Sequence, residues 1–136
     1  LVAASDDMWP KAHGWDIMIR EACDLHCPDG NGLVWFTDGK QKDIPTLPIM
    51  GRKYYDRFGY IYHPGYRSVF CDNEALDVAR RDGDLHYFDI VLAEHRHPAN
   101  VSDVKPDALY RRNETRTIWD RDHKTYNRRK ALGFPS

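Results

Sequence analysis

Three short stretches hold the side chains best suited to chemistry. The first is Ser5-Asp6-Asp7-Met8, two adjacent carboxylates that follow the apolar run Leu1-Val-Ala-Ala. Hard oxygen ligands at the end of a strand suit Mg²⁺ or Mn²⁺ bound together with a phosphate, and α/β folds place their chemistry at such strand ends. The second is Cys71-Asp72-Asn73-Glu74. Carboxylates at a helix start stay ionised beside the positive end of the helix, and one of them can take a proton from an attacking hydroxyl. The third is His95-Arg96-His97-Pro98. Alternate residues of a strand face the same way, so either imidazole could complete a metal site begun by Asp7. Each stretch also has a plain structural reading, as a turn, a helix cap or a polar strand end.

Other signals are weaker. Arg52 and Lys53 follow the elbow Thr46-Leu-Pro-Ile-Met-Gly51 and could meet an anion. Residues 111–130 carry eight cationic against three acidic side chains, a local charge of +5 in a chain of net charge −1. That stretch reads either as a solvated helix face or as a cationic flank for a diphosphate. Cys23, His26 and Cys27 have helical spacing and lack a second pair, which argues against zinc.

The elements that must position these groups follow from periodicity and breakers. Residues 1–5 read as a buried strand, 16–25 as a helix stopped by Cys27-Pro-Asp-Gly-Asn-Gly32, and 33–36 as a short apolar strand ending in the turn Thr37-Asp-Gly-Lys. A broken strand over 46–50 leads to a helix over 51–58, capped by Gly59, and then to a strand at 60–62. Asp72 can cap a helix running to Arg81 that Gly83 ends. Residues 85–94 form the longest strand candidate, 102–105 a linker, and 106–133 a basic helical tail broken near 113–115. Strands and helices mix without regular β-α-β alternation, so the expected class is α/β, a mixed β-sheet flanked by helices.

At 136 residues, 41 % hydrophobic and 30 % charged, the chain fits one soluble domain spanning 1–136. No transmembrane segment and no signal peptide are expected, and the near-zero net charge argues against nucleic acid as a partner. Three cysteines without framework spacing read as reduced thiols of a cytoplasmic protein.

Taken in order, Ser5-Asp6-Asp7-Met8, Gly32-Leu-Val-Trp-Phe36, Leu47-Pro-Ile-Met-Gly51-Arg52, Cys71-Asp72-Asn73-Glu74 and His95-Arg-His97-Pro98 resemble the C-terminal, acceptor-side part of a GT-A-type glycosyltransferase. The likeness is to the family-2-like enzymes of bacteria and phages, and it covers nearly the whole chain. It implies a partial GT-A fold and transfer of a sugar from a nucleotide-sugar donor to a glycan or other acceptor hydroxyl, with inversion. It implies Mn²⁺ or Mg²⁺ as cofactor, with Asp6 and Asp7 as metal ligands and His95 or His97 as an added one. Asp72, or else Glu74, would be the catalytic base, and Arg111, Arg112 and Arg116 would close over the diphosphate. Trp35, Tyr62 and Tyr66 could stack on sugar rings. The resemblance also implies a nucleotide-binding N-terminal half outside these residues, so self-association is an expected outcome for this portion. Two other classes stay open: a non-catalytic binding or assembly module derived from such an enzyme, and a metal-dependent hydrolase or nuclease using Asp6, Asp7, His95 and His97.

Overall fold

A computed structural model describes residues 1–135. Its elements in chain order are β1 (Met8–Pro10), α1 (Trp15–His26), β2 (Leu33–Phe36), β3 (Pro48–Met50), α2 (Arg52–Phe58), α3 (Cys71–Asp82), β4 (Leu85–Phe88), β5 (Ala93–His95), α4 (Ala108–Asn113) and α5 (Arg116–Ala131). The class is mixed α/β, with two small sheets flanked by helices.

The central sheet has the order β3-β2-β4. All four residues of β2 are buried, as a continuous apolar run requires when both faces of a strand are covered. Side chains alternate between the faces. Val34 and Phe36 join Ile19, Ala22, Ile49 and Leu92 in one core beneath α1. Leu33 and Trp35 join Met50, Tyr54, Leu76 and Ala79 in a second core beneath α2 and α3. β2 runs antiparallel to β3, with Val34 opposite Ile49, and parallel to β4, with Val34 opposite His86. Pro48, which has no N–H to give, lies on the edge strand β3. A second sheet pairs β1 with β5 antiparallel and sets Met8 opposite His95.

Gly51 lies where backbone passes close to backbone. A Cβ there would sit 2.2 Å from the carbonyl oxygen of Gly30. Gly83 ends α3 in the left-handed conformation, φ 76°, as the expected stop signal does.

Four expectations are corrected. Residues 1–5 are not a buried strand. Leu1 and Val2 are exposed, and a single bridge from Val2 to Ile49 attaches them to the edge of β3. The strand follows the acids instead, so Asp6 and Asp7 lead into β1. The run 85–94 splits into β4 and β5, which belong to different sheets. β2 is four residues long, so β4 has no partner beyond Phe88. The chain then turns and buries Leu92 in the first core before β5 begins. Residues 60–62 form no strand. Tyr60 packs its ring on Phe58 and His63, within an aromatic loop. Finally, Phe70, at φ 68°, occupies the cap position of α3, and Asp72 sits inside its first turn.

The expected break in the tail is present, and each helix there has a side-chain cap. Asp107 accepts from Tyr110 N (2.7 Å) and Thr115 from Ile118 N (3.3 Å). Two buried carboxylates fix α5 to the body. Asp122, fully buried, accepts from the backbone N–H groups of Arg67, Ser68 and Val69. Glu74 on α3 accepts from Arg129 through Nε (2.8 Å) and Nη2 (2.9 Å), and from the Tyr66 hydroxyl (2.6 Å).

Removing one partner of a buried pair strands the other charge. Arg129→Ala is therefore expected to cost about 3–5 kcal/mol, read as a lower urea midpoint. The double variant Glu74→Leu/Arg129→Met should regain much of that loss. Equal losses in the single and double variants would show that the pair is not what holds α5.

Candidate functional site

The site forms where the small ribbon meets the central sheet. β1 and β5 bring Asp7 beside the end of β5, and Arg96 N donates to Asp7 O (2.9 Å). Asp7 Oδ2 then lies 3.2 Å from His95 Nε2, and the Ser5 hydroxyl donates to Asp7 Oδ1. The other imidazole nitrogen, Nδ1, lies 3.3 Å from Oδ2 of Asp38. Asp38 lies two residues beyond the end of β2, and its side chain is 1 % exposed. Its Oδ1 accepts from Lys40 N (2.8 Å) and Gln41 N (2.6 Å), and its Oδ2 from Thr46 Oγ1 (3.0 Å). The segment Thr37-Asp38-Gly39-Lys40, expected only as a turn, thus carries a residue of the site. The signal available was a carboxylate next to the C-terminal end of a strand buried on both faces, which is where such folds gather function.

Asp7 and His95 open onto a cleft of about 760 Å³, lined also by Asp6, Trp9, His97 and Tyr110. Two cations line it as well, Arg96 and Lys105. Arg96 lies over the ring of Trp9 at 5.0 Å and pairs with Asp103 at 3.2 Å. His97 packs against Tyr110, and its Nδ1 accepts from Ala99 N (3.3 Å). In a neutral ring that arrangement leaves a proton on Nε2, so His97 faces its surroundings as a donor. Among the described residues, His95 Nε2 accepts from no backbone N–H and faces the Asp7 carboxylate instead. Of the two histidines, it is therefore the better fit for a cation.

The proposed base residues part company. Glu74 is buried in its ion pair with Arg129, between α3 and α5. Asp72 is half-buried and takes a hydrogen bond from Asn73 N (2.9 Å). Burial raises its carboxyl above the usual range. The adjacent N–H groups and a positive charge on His95 work the other way. Asp72 is not among the described residues that line the cleft holding Asp7 and His95.

Arg111 and Arg112 are exposed on α4, and Arg116 pairs with Asp120 (3.0 Å) and covers the Trp119 ring. None of the three lines the cleft that holds Asp7 and His95. Trp35 is buried in the second core, Tyr62 is half-buried, and the Tyr66 hydroxyl is used by Glu74. Cys23 and Cys27 remain free thiols, and Cys27 is pushed up to about 11 by burial and by its neighbour Cys23.

Among the described residues no group of three or more His, Cys, Asp or Glu is arranged to hold a metal ion. The chain offers two donors, Asp7 and His95. A hard cation held by one or two protein ligands completes its shell with water and substrate phosphate oxygens, so this donor set fits a cation that binds together with a diphosphate. No helix among the described residues is long and apolar enough to cross a membrane. Comparison with protein-family models, with curated proteins and with solved structures gives no match.

Asp72 yields a pH-dependent expectation. Its folded carboxyl holds a proton more tightly than the unfolded one, whose ordinary value is 3.8. Its favourable contribution is complete below that value and is lost as pH rises through the raised one. At neutral pH the buried charge therefore destabilises the fold. Asp72→Asn should raise the melting temperature at pH 7, with the gain fading as the pH is lowered towards 3.8. Calorimetry across that range tests this, and a gain independent of pH would contradict it.

Proposed function

We propose that this chain is the acceptor-side portion of a metal-dependent, GT-A-type glycosyltransferase. The observation that carries the reading is the meeting of Asp7 and His95 on an open cleft, and Asp72, held partly desolvated, is the carboxylate given the base role. Asp7 and His95 are the residues that would hold Mn²⁺ or Mg²⁺, and the cation would supply neutralisation of the charge that builds on a leaving diphosphate. Asp6, exposed at the cleft, adds negative charge beside them. Arg96 and Lys105 are better placed to meet phosphate oxygens than Arg111, Arg112 or Arg116.

In this reading Asp72 accepts the proton of the acceptor hydroxyl. The acceptor oxygen forms its bond to the anomeric carbon of the nucleotide sugar as the bond from that carbon to the diphosphate breaks. The nucleoside diphosphate departs with the electron pair, and a single displacement inverts the anomeric centre. A carboxyl raised above its usual range is a stronger base once ionised, which suits that role. Trp9, exposed at the cleft, and Tyr110 offer apolar faces to an acceptor sugar.

Melting temperatures measured with Mn²⁺, with a panel of nucleoside diphosphates, and with both together test the proposal. The expected result is a rise that needs metal and nucleotide together and disappears in Asp7→Ala. Absence of a metal-linked rise in every combination would overturn it.

A second reading, a binding or assembly module, is favoured by one observation. β4 ends the central sheet with an unpaired edge, and Tyr87, Ile90 and Val91 beside it are each more than 40 % exposed. Such edges and patches suit pairing with another chain. Concentration-dependent oligomers in sedimentation equilibrium, indifferent to Mn²⁺, would favour this reading.

A further inference from the structure

We infer that Asp38 is the positioning residue of the site: it holds His95 with the proton on Nδ1 and so turns the Nε2 lone pair towards Asp7 and the cleft. The use of that lone pair for a cation rests on the glycosyltransferase reading, whereas the tautomer itself does not.

The argument starts from His95 Nδ1. That atom is fully buried and has no aligned hydrogen-bond partner, an arrangement that costs free energy unless a neighbour satisfies it. Asp38 Oδ2 lies 3.3 Å away. In the arrangement we infer, the ring turns so that Nδ1–H aligns with that oxygen. An ionised carboxylate only accepts, so the nitrogen facing it must carry the hydrogen. In a neutral ring the remaining nitrogen is then bare. The same rule would favour a proton on Nε2, 3.2 Å from Asp7 Oδ2, but the two sides differ. Asp7 is 26 % exposed on the cleft, where water or a cation can meet Nε2, whereas buried Nδ1 faces Asp38, 1 % exposed. A bare Nε2 beside Asp7 is where a cation shared by the two residues would sit. A carboxylate behind a metal-bound histidine orients such rings in many metal sites.

Asp38 is itself held rigidly. Three donors fix its two oxygens: Lys40 N and Gln41 N on Oδ1, and Thr46 Oγ1 on Oδ2. Those contacts determine what Asp38→Asn would do. The two backbone N–H groups require an oxygen at the Oδ1 position. The amide NH₂ must therefore replace Oδ2 and face His95. The Thr46 hydroxyl can turn from donor to acceptor, so the loop keeps its bonds. The ring, however, meets a donor at Nδ1, and its proton moves to Nε2. The variant is thus nearly isosteric, but its histidine presents N–H to Asp7 where the parent presents a lone pair.

The tautomer is read from ¹⁵N NMR of the imidazole nitrogens in metal-free protein at alkaline pH, with the His95 resonances identified by their loss in His95→Gln. The expected result is Nδ1–H in the parent and Nε2–H in Asp38→Asn. Nε2–H in the parent, or the same tautomer in both proteins, would overturn the inference. If Asp38→Asn does not fold, the parent spectrum decides alone. Mn²⁺ titration followed by electron paramagnetic resonance supplies the second readout. Affinity should fall about 10–100-fold in the variant, the usual effect of losing such a partner. Equal affinities would also refute the positioning role. A parent with no Mn²⁺ affinity would count against the glycosyltransferase reading, while the tautomer measurement still decides the role of Asp38.

Discussion

The structure depends on the complete burial of one four-residue strand. β2 can be covered on both faces only if helices pack above and below it, and its alternating side chains divide the interior into two cores. α1 answers Val34 and Phe36, whereas α2 and α3 answer Leu33 and Trp35. With both edges of β2 also paired, by β3 and β4, the strand has no freedom of register. Whatever follows it is therefore delivered to one place. That residue pair is Thr37 and Asp38, both buried, and from there the carboxylate of Asp38 reaches His95.

The tail plays a different part from the one its charge suggests. Its cationic side chains mostly face solvent, yet two residues of α5 are buried, Asp122 and Arg129. One gathers the backbone N–H groups of the loop before α3, and the other neutralises Glu74 inside the body. Net charge along a stretch of sequence describes its solvated face. It conceals the few ionised groups that turn inward, although a buried charge with a matched partner fixes geometry more firmly than many exposed ones.

Much of the element order was legible in the sequence. Helix 15–26 carries helical spacing and stops at a run of breakers from Cys27, helices 52–58 and 71–82 end at Gly59 and Gly83, and the apolar run 33–36 reads as the buried strand it is. Short apolar runs were less legible, because alone they do not reveal whether a partner edge exists. Residues 1–5 and 60–62 look like strands and lack that partner, and 85–94 looks like one strand but serves two sheets. The site was legible by residue type and not by neighbourhood. Asp7 and His95 stand out because acids and histidines beside breakers are conspicuous. Asp38 hides in an ordinary turn, and Glu74 looks available until Arg129, 55 positions away, is brought against it.

The split between β4 and β5 has a consequence for how the molecule comes together. Asp7, Asp38 and His95 are far apart along the chain, and they sit on two separate sheets joined through residues 89–92. No locally folded segment contains any two of the three. Closing such distant loops is the slow, entropically costly part of folding. Bringing these side chains together therefore carries the entropic cost of closing long loops. Asp7 meets His95 only where β1 pairs with β5, and Asp38 reaches the ring only where that ribbon meets the central sheet, so the three side chains come together only in the finished fold.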